Sequence, residues 1–208
     1  MKAFVLTLCL VLAVIGFFKL MPESRAKYAE PPYLISKKSD SIEFRHYEPF
    51  VVAEVLVYGD RQAAASEGFR LLFDYISGGN AQQEKIPMTI PVFQELIAFE
   101  PNASDESQTL WAFRFVMPSE KHLQNLPAPQ NDRIHFKQMT GFNVVAMRFS
   151  GSSASDNLTA HKNKLDAWTI QEKTPLTPNT HEIYALYNAP FTPSFLKRNE
   201  VMFRIERD

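Results

Sequence analysis

Cysteine is almost missing from this chain: there is one in 208 residues, Cys9, inside an apolar run near the N-terminus. The absence of any other thiol excludes disulfides, cysteine-ligated zinc, cysteine nucleophiles and Cys-x-x-Cys-His cofactor attachment within the chain. Basic runs are missing too. The 22 Lys and Arg are offset by 23 Asp and Glu, for a net charge of -1, and no helix face is basic. Phosphate backbones need a concentrated positive surface, so nucleic acid is not expected as a partner. Nor is there a Gly-x-Ser-x-Gly elbow, P-loop, Gly-x-Gly-x-x-Gly or His-Glu-x-x-His. Glycine is scarce, with 7 residues, whereas phenylalanine reaches 17. That balance suits a compact, aromatic-lined β-rich fold with one good core or two small ones, and argues against disorder.

What is present begins with an unbroken apolar run, residues 3–18, between Lys2 and Lys19. It is long for the core of a signal peptide and short for a spanning helix. Ser24-Arg25-Ala26 supplies a small-x-small cleavage site. Residues 1–21 are therefore expected to be a signal or anchor segment, with the reading tilting to the anchor. The expected localisation is membrane-anchored, or exported (periplasmic or secreted) if cleaved near Ala26. Residues 22–40 are polar and proline-bearing and read as a linker.

The domain is expected over residues 41–207. Ile42, Phe44 and His46 alternate with Glu43, Arg45 and Tyr47 as a half-buried strand, and a second strand covers 51–58 after a Glu48-Pro49 turn. Asp60 is placed to cap a helix over 61–76 whose stripe is Ala65, Phe69, Leu72, Phe73 and Ile76, and Gly78-Gly79 ends it. An extended run, Lys85-Ile86-Pro87-Met88-Thr89-Ile90-Pro91-Val92, follows and continues to about Phe99. Its two prolines suit a strand that pairs on one side only. Residues 100–108 read as a polar turn, and 110–117 as a strand.

Residues 118–132, with three prolines, separate this half from a second. There the strands are 134–138, 142–149, 182–187 and 201–205, with a helix over 156–169 whose stripe is Leu158, His161, Leu165, Trp168 and Thr169. Strand–strand–helix–strand–strand thus occurs twice, over about 41–117 and 133–206. Each helix follows two strands that read as a hairpin and lies across its own sheet. One α+β domain on a pseudo-twofold is the expected fold.

Lys85-Ile-Pro-Met-Thr-x-Pro-Val92 resembles the signature of the SOUL haem-binding protein family. The other matching runs are Ile42–Tyr47, Gly68-Phe69, Leu72-x-x-Tyr75-Ile76-x-Gly78-x-Asn80 and Phe115–Ser119. Arg148–Gly151, Tyr187-Asn188-x-Pro190 and Arg198–Val201 complete the set, so the resemblance covers about residues 40–207. It implies a distorted antiparallel eight-stranded β-barrel flanked by two α-helices. It also implies reversible, non-covalent binding of haem or another tetrapyrrole, with no settled catalytic residues and no invariant ligand.

A haem site needs an apolar slot, cations for the propionates and usually an axial ligand. At the Arg-His-Tyr position, the resemblance implies His46 as axial, metal-binding residue; the alternative is a strand-end histidine bonded to a neighbour. Met88 is a soft ligand or a core gap-filler. Arg45, Lys85, Lys197 and Arg198 are propionate partners or ordinary surface charges. On the helical stripe, His161 reads as a satisfied core histidine. His122, His135 and His181 read as solvated, and so do Glu43, Glu54 and Glu95. Three functions remain open: a haem or tetrapyrrole carrier, buffer or scavenger; a barrel-cleft effector binder or hydrolase; or an interaction module docking by strand addition on 85–92. The sequence leaves protein partners open.

Overall fold

The computed structural model describes residues 28–98 and 109–206. One antiparallel sheet of nine strands curls into a half-barrel, with two helices on its convex side. The elements are β1 (Tyr33–Ser39), β2 (Ile42–Tyr47), β3 (Phe50–Tyr58), α1 (Arg61–Ile76), β4 (Val92–Ala98), β5 (Leu110–Val116), β6 (His135–Met139), β7 (Phe142–Phe149), α2 (Ser155–Gln171), β8 (Ile183–Leu186) and β9 (Asn199–Arg204). Their order across the sheet is β1-β2-β7-β9-β8-β4-β5-β3-β6.

Leaving out β1, that order reads the same when each strand is replaced by its counterpart in the other half. The pseudo-twofold therefore runs between β4 and β8, which pair antiparallel with Val92 opposite Leu186. The expected duplication is present, but the expected hairpins are not. β2 pairs with β7, with Phe44 opposite Val145, and β6 pairs with β3, with Phe136 opposite Ala53. Each half lends its first strand to the other. Only Glu48-Pro49 separates β2 from β3, and Pro49 has no N–H to give a ladder, so the chain turns there between sheet regions.

β1 falls in the segment read as linker. Its polar side chains hid it: every residue after Tyr33 is exposed, and it is held by its ladder to β2. The 85–91 run is extended but is not a strand, and β4 begins only at Val92. Its groups are used singly: Ile86 N–H donates to Ile76 O at 2.8 Å, Ile90 N–H to Ala29 O at 3.0 Å, and Thr89 Oγ1 to Val116 O at 2.5 Å.

Helix signals behave as chemistry dictates. Asp60 Oδ1 accepts from the N–H groups of Gln62 and Ala63, and Gly78 takes φ +117 just past the end of α1. The face α1 buries is rotated from the expected stripe. Arg61, Ala64, Gly68, Leu71, Leu72 and Tyr75 point inward and Phe73 is about half exposed. Gly68 explains the rotation: a Cβ there would lie 2.6 Å from the Phe113 ring, so backbone meets ring directly on β5. α2 buries Leu158, Leu165 and Thr169 as expected.

The expectation of a membrane-anchored or exported protein is corrected. Among the described residues no helix is long and apolar enough to cross a membrane. The run 3–18, on which that expectation rested, lies outside the described residues, as does the turn at 100–108.

Candidate functional site

Strand alternation divides the side chains between two layers, and both are packed. The helix side holds Val55, Phe113, Phe115, Val145 and Leu158; the concave side holds Tyr47, Phe50, Phe93, Val144 and Met202. Almost no room is left inside the curl, where the space among Phe50, Phe93, Met139 and Met202 amounts to about 10 Å³.

Ion pairs fill the rest of the concave layer. Arg45 donates to Glu200 through Nη1 at 2.6 Å and Nη2 at 3.1 Å, and through Nε to Glu43 at 2.8 Å. Glu200, fully buried, also accepts from Tyr187 Oη at 2.7 Å and from Arg198 Nη2 at 3.1 Å. Burial alone would raise the Glu200 pKa, but the Arg45 and Arg198 charges and these hydrogen bonds hold it below the usual carboxylate value. A second cluster joins Arg114 to Glu54 at 2.5 Å and to Glu95, which Arg204 reaches at 3.3 Å. Glu43, Glu54 and Glu95 are thus not solvated strand residues. They lie under a sheet whose second face is covered too, which alternation alone does not reveal. A Glu–Tyr pair inside a barrel is present as Glu200 and Tyr187, but every oxygen of that carboxylate is held by a cation.

The expected site residues do not converge on one place. Arg45 and Arg198 meet at Glu200; Arg198 also pairs with Glu30 at 3.1 Å and lies 3.6 Å from the Tyr187 ring centroid. His46, the next residue after Arg45, points to the opposite face. Its Nδ1 is 2.7 Å from Asn143 Oδ1, and its Nε2 lies 3.2 Å from where a Cβ on Gly141 would stand. It borders a broad polar recess of about 720 Å³ with Glu48, Thr177 and Arg204. Met88 is half-buried and packs on the helix-side core, and Lys85 is exposed. His161 is satisfied as expected, with Nδ1 2.8 Å from Asn157 O and its ring stacked on Phe149. Among the described residues no group of three or more His, Cys, Asp or Glu is placed to hold a metal.

An apolar cleft lies elsewhere, between the first turns of α1, the ends of β4 and β8, and the loops at 152–154 and 188–197. It measures about 460 Å³, and its apolar lining is Ala65, Phe69, Val92, Leu186 and Pro190. Ligand pockets are commonly of this size and character. Phe191 and Phe195, 90% and 77% exposed, stand on the loop that borders it. Two cations line it. Lys197 Nζ donates to Pro190 O at 3.1 Å and, among the described residues, pairs with no carboxylate. Arg61, 8% exposed, donates to Gln94 Oε1 at 2.8 Å and to Ser153 O at 2.9 Å, and among the described residues no carboxylate lies within ion-pair distance of it. Burial pushes its guanidinium pKa below the usual value, against the pull of Tyr184 and Asp60. Lys197 was legible as a candidate cation, but Arg61 was missed. The available signal was its place on the buried stripe, three residues before Ala64 and seven before Gly68.

Residues 28–204 match the family described as SOUL heme-binding protein. The chain belongs to the SOUL family. Relatives include Heme-binding protein 2 of Mus musculus, 27% identical over 179 residues that cover 85% of this chain and 83% of the mouse protein. Heme-binding protein 2 of Homo sapiens is 27% identical over 173 residues, covering 81% and 79%. Among solved structures, the EcmrR C-terminal domain aligns with a TM-score of 0.60 at 11% identity, covering 85% of this SOUL chain and 99% of that one. A hydrolase of Listeria innocua aligns at 0.51 and 10% identity, covering 91% and 98%. Identities this low show a shared fold and nothing further.

Proposed function

We propose that this SOUL protein binds haem or a related tetrapyrrole non-covalently, and that the macrocycle lies in the cleft between α1 and the 188–197 loop. The observation that carries this reading is Arg61, a buried cation with no carboxylate partner among the described residues, on the wall of an apolar cleft. A dianionic, flat, apolar ligand suits that combination. Ala65, Phe69, Leu186 and Pro190 would meet the ring, and Lys197 and Arg61 the propionates. Membership in the SOUL family supports the ligand class.

The cleft fits the macrocycle and the propionates but carries no His, Met, Tyr or Cys as an axial ligand. Haem supplies its iron chemistry wherever it is bound; the residues here supply apolar contact and charge. His46 does not share this cleft. It pairs with Asn143 at the start of β7, whereas Arg61 bonds Ser153 and Ser155 beyond the other end of that strand. Seven residues of strand separate those ends by about 20 Å. The protein is read as a carrier, buffer or scavenger rather than an enzyme, since the Glu200–Tyr187 pair is closed by Arg45 and Arg198.

Haemin titration tests the proposal. The wild-type chain is expected to give a saturable Soret change that Ala65→Glu, which places a carboxylate in the cleft, largely removes. His46→Ala should leave it intact. Loss with His46→Ala and retention with Ala65→Glu would move the site to the His46 recess, and no saturable change in the wild type would sink the tetrapyrrole reading.

A further inference from the structure

Two buried donors in the described structure have no acceptor, and both belong to residues that line the same crevice. They are the indole Nε1–H of Trp111, 6% exposed, and the guanidinium Nε–H of Arg61. The crevice, about 420 Å³, lies beside the apolar cleft and between the first turns of the two helices, with Tyr184, Ser155 and Thr159 also on its walls. A buried donor without an acceptor costs about 1–3 kcal/mol, and native structures hold few of them. Two in one crevice are a reason to look for a ligand that accepts.

The surrounding geometry specifies that ligand. The Tyr184 ring is shared: Trp111 stacks on it at 6.4 Å and the Arg61 guanidinium lies 5.9 Å from its centroid. On a guanidinium, Nε–H and Nη2 share one edge, the edge that grips a planar two-oxygen group. Here Nη2 donates to Ser153 O at 2.9 Å and to Ser155 Oγ, in the first turn of α2, at 3.3 Å, and the longer of the two is the contact a ligand oxygen would replace. That turn has Ala154 at its N-cap and no side-chain capping bond, and Asp156 within it offsets part of its positive end. Two carboxylates also border the crevice. Asp60 Oδ1 is taken up in capping α1, and Glu182 is half-exposed. Their charge disfavours a multiply charged ion and leaves room for a single negative charge.

We propose that this crevice binds a small-molecule carboxylate, whose oxygens accept from the Nε–Nη2 edge of Arg61 and from the Trp111 indole. The crevice shares Arg61 with the tetrapyrrole cleft, where the guanidinium contributes its charge rather than this edge; the proposal does not rest on tetrapyrrole binding, and its test contains no haem, so the two readings fail separately.

The test uses the full chain carrying Trp168→Phe, which leaves Trp111 as the tryptophan reporter. Its emission is followed while sodium acetate replaces sodium chloride at constant ionic strength, with phosphate as a second probe. A saturable change with acetate is expected, and phosphate should bind about tenfold more weakly. Arg61→Gln should remove the response with the protein still folded by its urea transition; if that variant does not fold, Arg61→Lys, which keeps the charge and loses the Nε–H, takes its place. No saturable acetate response, or one unchanged in the Arg61 variant, overturns the site. Phosphate binding as tightly as acetate overturns the assignment to a singly charged carboxylate.

Discussion

Arg45 and Glu200, 155 positions apart along the chain, are joined by two hydrogen bonds of 2.6 and 3.1 Å that reach over β7 inside the curled sheet. Removing one partner leaves a buried charge uncompensated, which costs about 3–5 kcal/mol. Glu200→Gln is therefore expected to lower the unfolding free energy, read from urea denaturation, by that order. Arg45→Met together with Glu200→Leu should cost clearly less than the sum of the two single changes. Additive losses would show that the pair is not coupled.

Stability should fall at both ends of the pH scale. At Glu200, Glu95 and Glu43 burial opposes ionisation, but neighbouring arginines, with Lys38 at Glu43, outweigh it and depress each pKa below 4.5. A depressed carboxylate contributes stability that is fully present above 4.5 and is lost as pH falls through its folded value. Burial raises Tyr47, Tyr75, Tyr184 and Tyr187 above 10.0, so their share is present below 10.0 and is lost as pH rises towards the folded values. Urea midpoints measured across pH should form a plateau between those limits. A midpoint that declines steadily from pH 8 to 5 would contradict this.

Gly68→Ala should destabilise the protein even though alanine is the better helix former. The helix gain is at most about 1 kcal/mol. Against it stands a Cβ 2.6 Å from the ring of Phe113, itself 1% exposed and without room to retreat. Overpacking of this kind costs about 1–3 kcal/mol. Chemical denaturation reads the difference, and a stabilised variant would mean that α1 slides on β5 at little cost.

With no axial side chain in the cleft, iron should matter little to affinity. Iron-free protoporphyrin is expected to bind within about threefold of haemin, since its apolar and propionate contacts are the same. Lys197→Gln should weaken both by about 2–5-fold, the scale of one partly exposed charge, and less so at high salt. Fluorescence quenching measures the first and a salt series the second. Much weaker binding of the iron-free ring would point to a metal ligand instead.

What the sequence made legible was local. Asp60 as cap, Gly78 as terminator, the α2 stripe through Leu158 and Leu165, and the alternation of β2 all follow from single-element chemistry. Contacts that depend on a second element were harder to see. The face of α1 turned on Gly68 meeting Phe113, and a stripe drawn through large apolar residues passes over a glycine and an arginine. Alternation placed Glu43 and Glu95 on a polar face, but only the curl of the sheet shows that face to be enclosed and filled with arginines. His46 as axial ligand and Arg45 as propionate partner were expected of one haem, although the alternation of β2 already set them on opposite faces, where the structure keeps them.

The interleaved strand order has a consequence for how the molecule is made. β2 joins the rest of the sheet through β7, with β1 on its outer side, and β6 joins through β3, so neither half can complete its sheet in isolation. Contacts this distant in sequence go with slow folding and leave no natural resting point partway. A chain nicked within 118–132 should hold together as a reconstituted pair of fragments, while either fragment alone would expose unpaired strand edges and aggregate. The repeat that reads as two units is, in physical terms, a single knot of mutual support that forms whole or not at all.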